Sequence, residues 1–203
     1  MLQASPDVEN LVRMDLAAIL GTGLDKAIIN GSGVGAEPLG IMGTSGVASV
    51  SLGANGGAIG WDAVLEMERL LASSNADAGN LAYLTTPEAR KKLKATLRVA
   101  GIASDFIWGD GSEPGAGLVN GYAALASTSV PSNLVKGAGT GLSAVVFGNW
   151  SDLVVGDWSG LDLLVDPYTF SSSGTTRVVA LMDVDIGLRR VESFCVIKDA
   201  LTT

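Results

Sequence analysis

Asp183 and Asp185 are the side chains in this 203-residue chain whose type and spacing come nearest to catalytic machinery. Two carboxylates two positions apart on a strand project from one face. There they can divide acid–base work between them or contribute to a metal site. Arg177, Arg189 and Arg190 are close in sequence, so a salt-bridged, solvated strand face accounts for the same pattern. No other ligand cluster converges on the pair, and Asp157, Asp162 and Asp166 are scattered without metal-site spacing. The chain has no histidine, which removes the commonest general base and the commonest zinc ligand. Its one cysteine, Cys195, cannot form an internal disulfide and reads as a small core residue of a reduced, cytoplasmic protein. On these grounds no catalytic residue, metal or cofactor is expected.

Two glycine-rich turns invite a nucleotide reading and fail it. Gly31-Ser32-Gly33-Val34-Gly35 follows a helix and precedes Glu37-Pro38-Leu39-Gly40, whereas a dinucleotide fingerprint needs a strand before it and a helix after it. Gly137-Ala138-Gly139-Thr140-Gly141 lacks the Gly-Lys-Ser/Thr ending of a P-loop. Both are expected to be plain turns. Arg90, Lys91, Lys92, Lys94 and Arg98 form a basic stripe that suits a solvated helix face better than an anionic partner. Trp61, Trp108, Trp150 and Trp158 fit core or subunit-contact anchors. Trp108, set in Trp108-Gly109-Asp110-Gly111-Ser112-Glu113-Pro114-Gly115, is expected to be an exposed contact.

The elements that position these residues follow from periodicity. Ser5 as cap, Pro6 in the first turn and Asp7 and Glu9 at the positive end of the dipole start a helix. Val8, Leu11, Val12, Leu16, Ile19 and Leu20 give it an apolar face, and Gly21 and Gly23 are expected to weaken or kink it before it resumes to Asn30. Residues 31–60 are rich in Gly, Ser and Ala and read as ordered loop, with a short strand over Val47–Leu52. A helix over Trp61–Ser73 and a buried strand over Leu81–Leu84 follow. A third helix starts either with Thr85 and Glu88 as a capping box or with Thr86 capping and Pro87 first; it carries Ala89, Leu93 and Leu97 inward and ends at Gly101. Strand-like pieces lie at Leu118–Ala126, Ala144–Phe147, Leu153–Val155 and Leu161–Val165. After a polar hinge at Ser171–Gly174, Thr176–Ile197 reads as two long strands bent at Gly187.

Composition bounds the class. With 47% hydrophobic residues, 17% charged and 27 glycines, the chain is no disordered segment. A mean hydropathy of +0.38 points to apolar surface destined for subunit contacts or to a Gly- and Ala-rich core. A net charge of −8 argues against gripping nucleic acid. No stretch reaches the ~18 apolar residues of a membrane span, and no signal peptide is evident.

From Ser5-Pro6-Asp7-Val8-Glu9-Asn10-Leu11-Val12-Arg13 through Asp25–Gly33 and Glu37-Pro38-Leu39-Gly40-Ile41, the chain resembles tailed-phage major capsid proteins of the Hong Kong 97 fold. Leu84-Thr85-Thr86-Pro87, Gly121-Tyr122 with Ser127–Pro131, Phe147-Gly148-Asn149-Trp150, Arg189 and Ser193–Lys198 extend the resemblance in order along the chain; Ala123 replaces the family's usual Pro. It implies an α+β fold: a partial peripheral (P) domain with an inserted α/β axial (A) domain. The implied divisions are residues 1–56 (spine helix and connecting loop), 57–170 (A domain) and 171–203 (return strands). Ile107, Trp108, Gly109, Asp110, Gly111, Glu113 and Pro114 would form the A-loop contact at the capsomer axis. Implied partners are copies of itself in pentamers and hexamers and other head proteins, around DNA held without sequence-specific binding and with no membrane. The implied location is the virion capsid, after synthesis in the bacterial cytoplasm. Because Met1 falls directly before the spine helix, the family's N-terminal arm and E-loop are expected to be missing, and no Lys–Asn crosslinking motif is found. An encapsulin-like compartment shell shares the expected fold. A carboxylate hydrolase or ligand-binding domain is the rival from another class, and it needs an acidic pair in a deep pocket.

Overall fold

A computed structural model describes residues 6–99, 101, 105–111 and 116–202. The centre of the molecule is a run that is buried on both faces. Ala144-Val145-Val146-Phe147-Gly148 lies within the long strand β7 (Gly139–Asn149), and a continuous apolar run of this kind fits only the middle of a covered sheet. Val145 and Phe147 point to one face, Ala144 and Val146 to the other.

The strands before it are β1 (Ala48–Val50), β2 (Leu81–Thr85), β3 (Trp108–Asp110), β4 (Gly117–Val119), β5 (Tyr122–Ala126) and β6 (Leu134–Lys136). After it come β8 (Leu153–Asp157), β9 (Asp162–Asp166), β10 (Arg177–Leu181), β11 (Val184–Leu188) and β12 (Phe194–Ala200). The main sheet has the order β1-β12-β7-β2-β5-β4-β3, with β6 pairing to β7 as a hairpin. β12 runs antiparallel to β7 with Cys195 opposite Phe147 and Ile197 opposite Val145. It is parallel to β1 on its other side.

Helices α2 (Trp61–Ser73) and α3 (Pro87–Ala95) cover one face. Val64, Met67 and Leu71 of α2 and Ala89 and Leu93 of α3 meet Tyr83, Phe147, Cys195 and Ile197 there. The opposite face is closed by Ile29, Ile41, Met42 and Val130 against Val146, Phe194 and Val196. Of the two starts open for α3, the structure uses Thr86, whose hydroxyl accepts from the Ala89 amide at 3.1 Å with Pro87 in the first turn. The helix ends at Ala95, before the expected Gly101. Leu97 therefore leaves the helical face and forms a bridge with Phe106.

The Phe147-Gly148-Asn149-Trp150 turn is a packing device. A Cβ on Gly148 would sit 2.3 Å from the Phe194 ring, so only glycine lets that ring cross. Asn149 Oδ1 accepts from the Asn80 and Ser151 amides at 3.0 and 3.2 Å, and its Nδ2 donates to Ala78 O at 2.9 Å. Trp150 meets Phe194 edge-on at 5.7 Å and donates to Ala82 O at 3.0 Å.

Three expectations change. Helix α1 (Pro6–Asn30) runs through Gly21 and Gly23 as one helix of 25 residues; its expected cap, Ser5, lies outside the described residues. The Leu118–Ala126 piece is two strands turned at Asn120 and Gly121, both with positive φ (54° and 83°), as an Asn-Gly hairpin requires. The tail is three strands, and Gly187 sits inside β11 opposite Val154 without bending it.

The last of these strands also departs from the expected division. β12 joins the central sheet, while β10 and β11 fold back on β9 and β8. Residues 153–188 thus form a two-stranded ribbon, broken at Trp158–Leu161, where the Trp158 amide donates to Asp183 O at 3.0 Å. The expected boundary at residue 171 cuts through this ribbon, because antiparallel pairing ties each half to a partner on the other side of the turn.

Candidate assembly surfaces

Among the described residues no group of three or more His, Cys, Asp and Glu side chains could hold a metal. Asp183 and Asp185 are exposed on the ribbon. The Asp183 amide donates to Ser159 Oγ at 2.9 Å, and Asp185 Oδ1 accepts from the Ile186 amide. These are turn and strand-end contacts, not an acidic pair in a pocket. Cys195 is fully buried, and burial pushes its thiol up to about 12, so it is an unreactive core residue.

The glycine-rich turns are structural. Gly40 N donates to Gly31 O at 3.0 Å to close the first, and Ser32 Oγ donates to Glu37 at 2.5 Å. The second is the β6–β7 hairpin, where the Ala138 amide donates to Asn55 Oδ1 at 3.0 Å. Beside it Lys136 Nζ lies 2.6 Å from Asp199 Oδ2. Asp199 is 2% exposed and also accepts from the Leu52 amide at 3.0 Å and Ser51 Oγ at 3.3 Å. Sequence reasoning missed this latch because its members are 63 residues apart. A charged residue within the otherwise buried C-terminal strand was the available signal.

The loop after α3 is where the largest correction falls. Trp108 is 3% exposed and Ile107 fully buried. As the first residue of β3, Trp108 turns inward under α2 and α3, opposite Val119. A Cβ on Gly117 would lie 1.9 Å from Trp108 Nε1, so the glycine that looked like loop punctuation makes room for the indole. Among the described residues Trp108 Nε1 has no hydrogen-bond partner. The exposed part of the segment is its tip: Asp110 is exposed, with Lys94 Nζ 3.8 Å away, and Gly109 and Gly111 are half-buried. Glu113 and Pro114 lie outside the described residues. Arg98, expected on the basic helix face, follows the helix and stacks over the Trp61 ring at 4.7 Å.

The unexpected surface is apolar. On the expected apolar face of α1, Leu11, Val12 and Ile19 are exposed and Leu16 and Leu20 half-buried, and Met14 is exposed as well. On the ribbon Val154, Val155, Trp158, Leu161, Leu164, Val165, Tyr168, Phe170, Val178 and Leu181 are exposed as well. Exposed apolar side chains in this number are the kind of surface from which interaction sites are built. Where α1 meets the ribbon, Ile19, Gly23, Ala27, Pro38, Met182 and Val184 line an open groove.

A covered sheet, a long exposed helix and a projecting ribbon make up the architecture of a Hong Kong 97-type capsid subunit. The capsid of the empty GTA particle, computed with C5 symmetry, superposes with a TM-score of 0.70 at 19% identity, over 98% of this chain and 69% of that one. The holo-SrpI encapsulin complex of Synechococcus elongatus PCC 7942 superposes at 0.64 and 13% identity, over 100% and 69%. The major capsid protein of Halomonas phage phiHAP-1 is 30% identical over 199 residues, which is 98% of this chain. This chain spans 30% of the length of that relative. The phage capsid family model matches residues 1–199, and the chain belongs to that family.

Proposed function

We propose that this chain is a structural subunit of a phage or prophage head, self-associating into pentameric and hexameric capsomers of an icosahedral shell around DNA. The observation that carries the reading is the contrast between a sheet unit that closes its own two cores and a helix and ribbon whose apolar side chains are left uncovered. In that role the sheet unit, residues 48–149 with 194–200, is the axial domain. Helix α1 and the ribbon are the peripheral part.

The segment that exposes Asp110 faces neighbours around the axis, and the buried Ile107 and Trp108 anchor it from beneath. Assembly works through repeated heterologous contacts, each modest, that act together once a ring closes. A net charge of −8 suits an interior that encloses DNA without binding its sequence. The chain is made in the bacterial cytoplasm, resides in the virion, meets other head proteins at the shell and performs no catalysis.

Sedimentation velocity and negative-stain microscopy of the concentrated chain test this. Rings or shells are expected, and a strict monomer at every concentration rejects the reading. The superposition on an encapsulin favours a second reading, a compartment shell around protein cargo. Particles that copurify with a protein and no nucleic acid would select it.

A further inference from the structure

Asparagine followed by glycine is the dipeptide best set up to modify itself. The glycine has no Cβ to shield its amide nitrogen, which can attack the asparagine Cγ and close a five-membered ring. The chain has three such pairs: Asn30-Gly31, Asn55-Gly56 and Asn120-Gly121. The fold holds them in three different ways.

Asn30 is the last residue of α1, and the Gly31 amide donates to Ala27 O at 2.8 Å. That nitrogen is engaged in the helical ladder, and a Cβ on Gly31 would sit 2.1 Å from Pro38 O, so the chain has no room to swing round. Asn120 and Gly121 form the two-residue turn between β4 and β5, with φ of 54° and 83°. A turn of this type sets ψ of its first residue at about +30°. The Gly121 nitrogen then lies across the Cα–C bond from the Asn120 side chain. The carboxamide is tied down as well, because Nδ2 donates to Glu68 Oε2 at 2.5 Å. Both pairs are shielded while the chain is folded.

Asn55 has neither protection. It is exposed in the loop between β1 and α2, outside any helix and outside the left-handed region. Its Oδ1 accepts from the Ala138 amide at 3.0 Å. A donor at that oxygen stabilises the negative charge that develops there when Cγ is attacked. The structure assigns Asn55 as a site of spontaneous succinimide formation. The Gly56 nitrogen gives its proton to water and bonds to Cγ, the Cγ–Nδ2 bond breaks, and ammonia leaves. Water then opens the ring at either carbonyl and yields aspartate or isoaspartate.

The two products act differently on the β6–β7 hairpin. Aspartate keeps an oxygen facing the Ala138 amide. Isoaspartate routes the main chain through Cβ and Cγ and lengthens it by one atom. The hairpin packs directly on this residue: a Cβ on Gly139 would lie 2.0 Å from Asn55 O, and one on Gly137 2.4 Å from Asn55 Oδ1. Isoaspartate therefore displaces the hairpin, and with it Lys136, whose Nζ reaches Asp199.

Incubation of the folded chain in mildly alkaline buffer, followed by peptide mapping with mass and isoaspartate detection, reads all three pairs at once. Conversion at Asn55 is expected to run at least roughly tenfold faster than at Asn30 and Asn120, a modest part of the ~10²–10³ that an enzymic oxyanion donor supplies. In urea the three rates should converge, because the dipeptide is the same. Equal rates in the folded chain, or faster conversion at Asn30 or Asn120, overturn the assignment. Hydrogen exchange over residues 134–142 reads the consequence. It should be faster in the isoaspartate-bearing fraction and unchanged in Asn55→Asp. Unchanged exchange in the isoaspartate fraction overturns the displacement of the hairpin. Equally fast exchange in Asn55→Asp does so too, since it assigns the loosening to charge and not to chain length.

Discussion

Gly117→Ala tests the placement of Trp108 beneath the loop, on which the correction of its role depends. The new Cβ would lie 1.9 Å from Nε1, 2.4 Å from Cε2 and 2.8 Å from Cδ1 of the indole. Optimal carbon contacts are ~3.5–4.0 Å, so the ring must retreat by roughly 1.5 Å. It has little room to do so, because Ile107, Val119 and Leu93 belong to the same buried cluster. Overpacking costs typically ~1–3 kcal/mol, and replacing a strand glycine by alanine returns ~0.5–1 kcal/mol of backbone entropy. A 1.9 Å clash puts the cost at the upper end of that range, so the net expectation is a loss of about 2 kcal/mol, read as a lower urea midpoint at unchanged slope by circular dichroism. Trp108→Phe removes the atoms nearest to the new methyl group together with an unpartnered N–H, and costs about 1–2 kcal/mol alone. The double variant is expected to be more stable than the sum of the two losses by at least ~1 kcal/mol. If Gly117→Ala stays within ~0.5 kcal/mol of the parent, or the two losses simply add, the indole does not sit against Gly117.

Three further outcomes follow from buried groups. Lys136→Met leaves the Asp199 carboxylate buried without its cation; breaking such a pair costs ~3–5 kcal/mol when fully buried, and about 2–3 kcal/mol is expected here because Lys136 is 37% exposed. Urea unfolding measures it, and adding Asp199→Asn should recover part of the loss. Cys195 has a raised folded pKa, so between the unfolded thiol value of ~8.5 and about 12 the unfolded chain alone ionises. Stability should fall as pH rises through that window, by up to ~1.4 kcal/mol per pH unit, and Cys195→Ala should remove this component in melts at pH 8 to 10.5. Asn149→Ala strips partners from the Asn80 and Ser151 amides and Ala78 O, and about 2 kcal/mol is expected from the midpoint shift.

Legibility from sequence tracked the range of the physics involved. Helix α2 and the strand at Leu81 rest on local periodicity and stand where the pattern puts them, and α3 uses Thr86, one of the two starts that local capping leaves open. The order of motifs also led to the family. What failed was non-local. Nothing near Trp108 tells that Gly117 lies beneath its ring, so a tryptophan among glycines reads as an exposed loop anchor. Nothing near Phe194 tells that it pairs with Gly148, so the final strand reads with the other return strands of residues 171–203 and not with the central sheet. Alternation over Val178–Ile186 was visible, but alternation with apolar residues in both phases does not say which face is covered.

The same alternation explains why this chain is divided energetically as well as spatially. β7 and β12 carry apolar residues in both phases, and both faces are met by helices and loops of the same chain. In the ribbon at 162–181 the face of Leu163, Val165, Val178 and Ala180 is apolar, the face of Leu164, Val179 and Leu181 also carries Asp162, Asp166 and Arg177, and among the described residues neither face joins a buried core. One pattern thus produces a finished core in the first case and an unfinished one in the second. A monomer that left the second exposed would aggregate without specificity. In the proposed shell role, the sheet unit holds its shape alone and the ribbon gains burial from neighbouring copies. Stability of the projecting part is then tied to assembly by mass action. Local opening of the ribbon should precede global unfolding in the free chain and be suppressed in the ring, a difference that hydrogen exchange at Leu163–Val165 against Val145–Phe147 resolves.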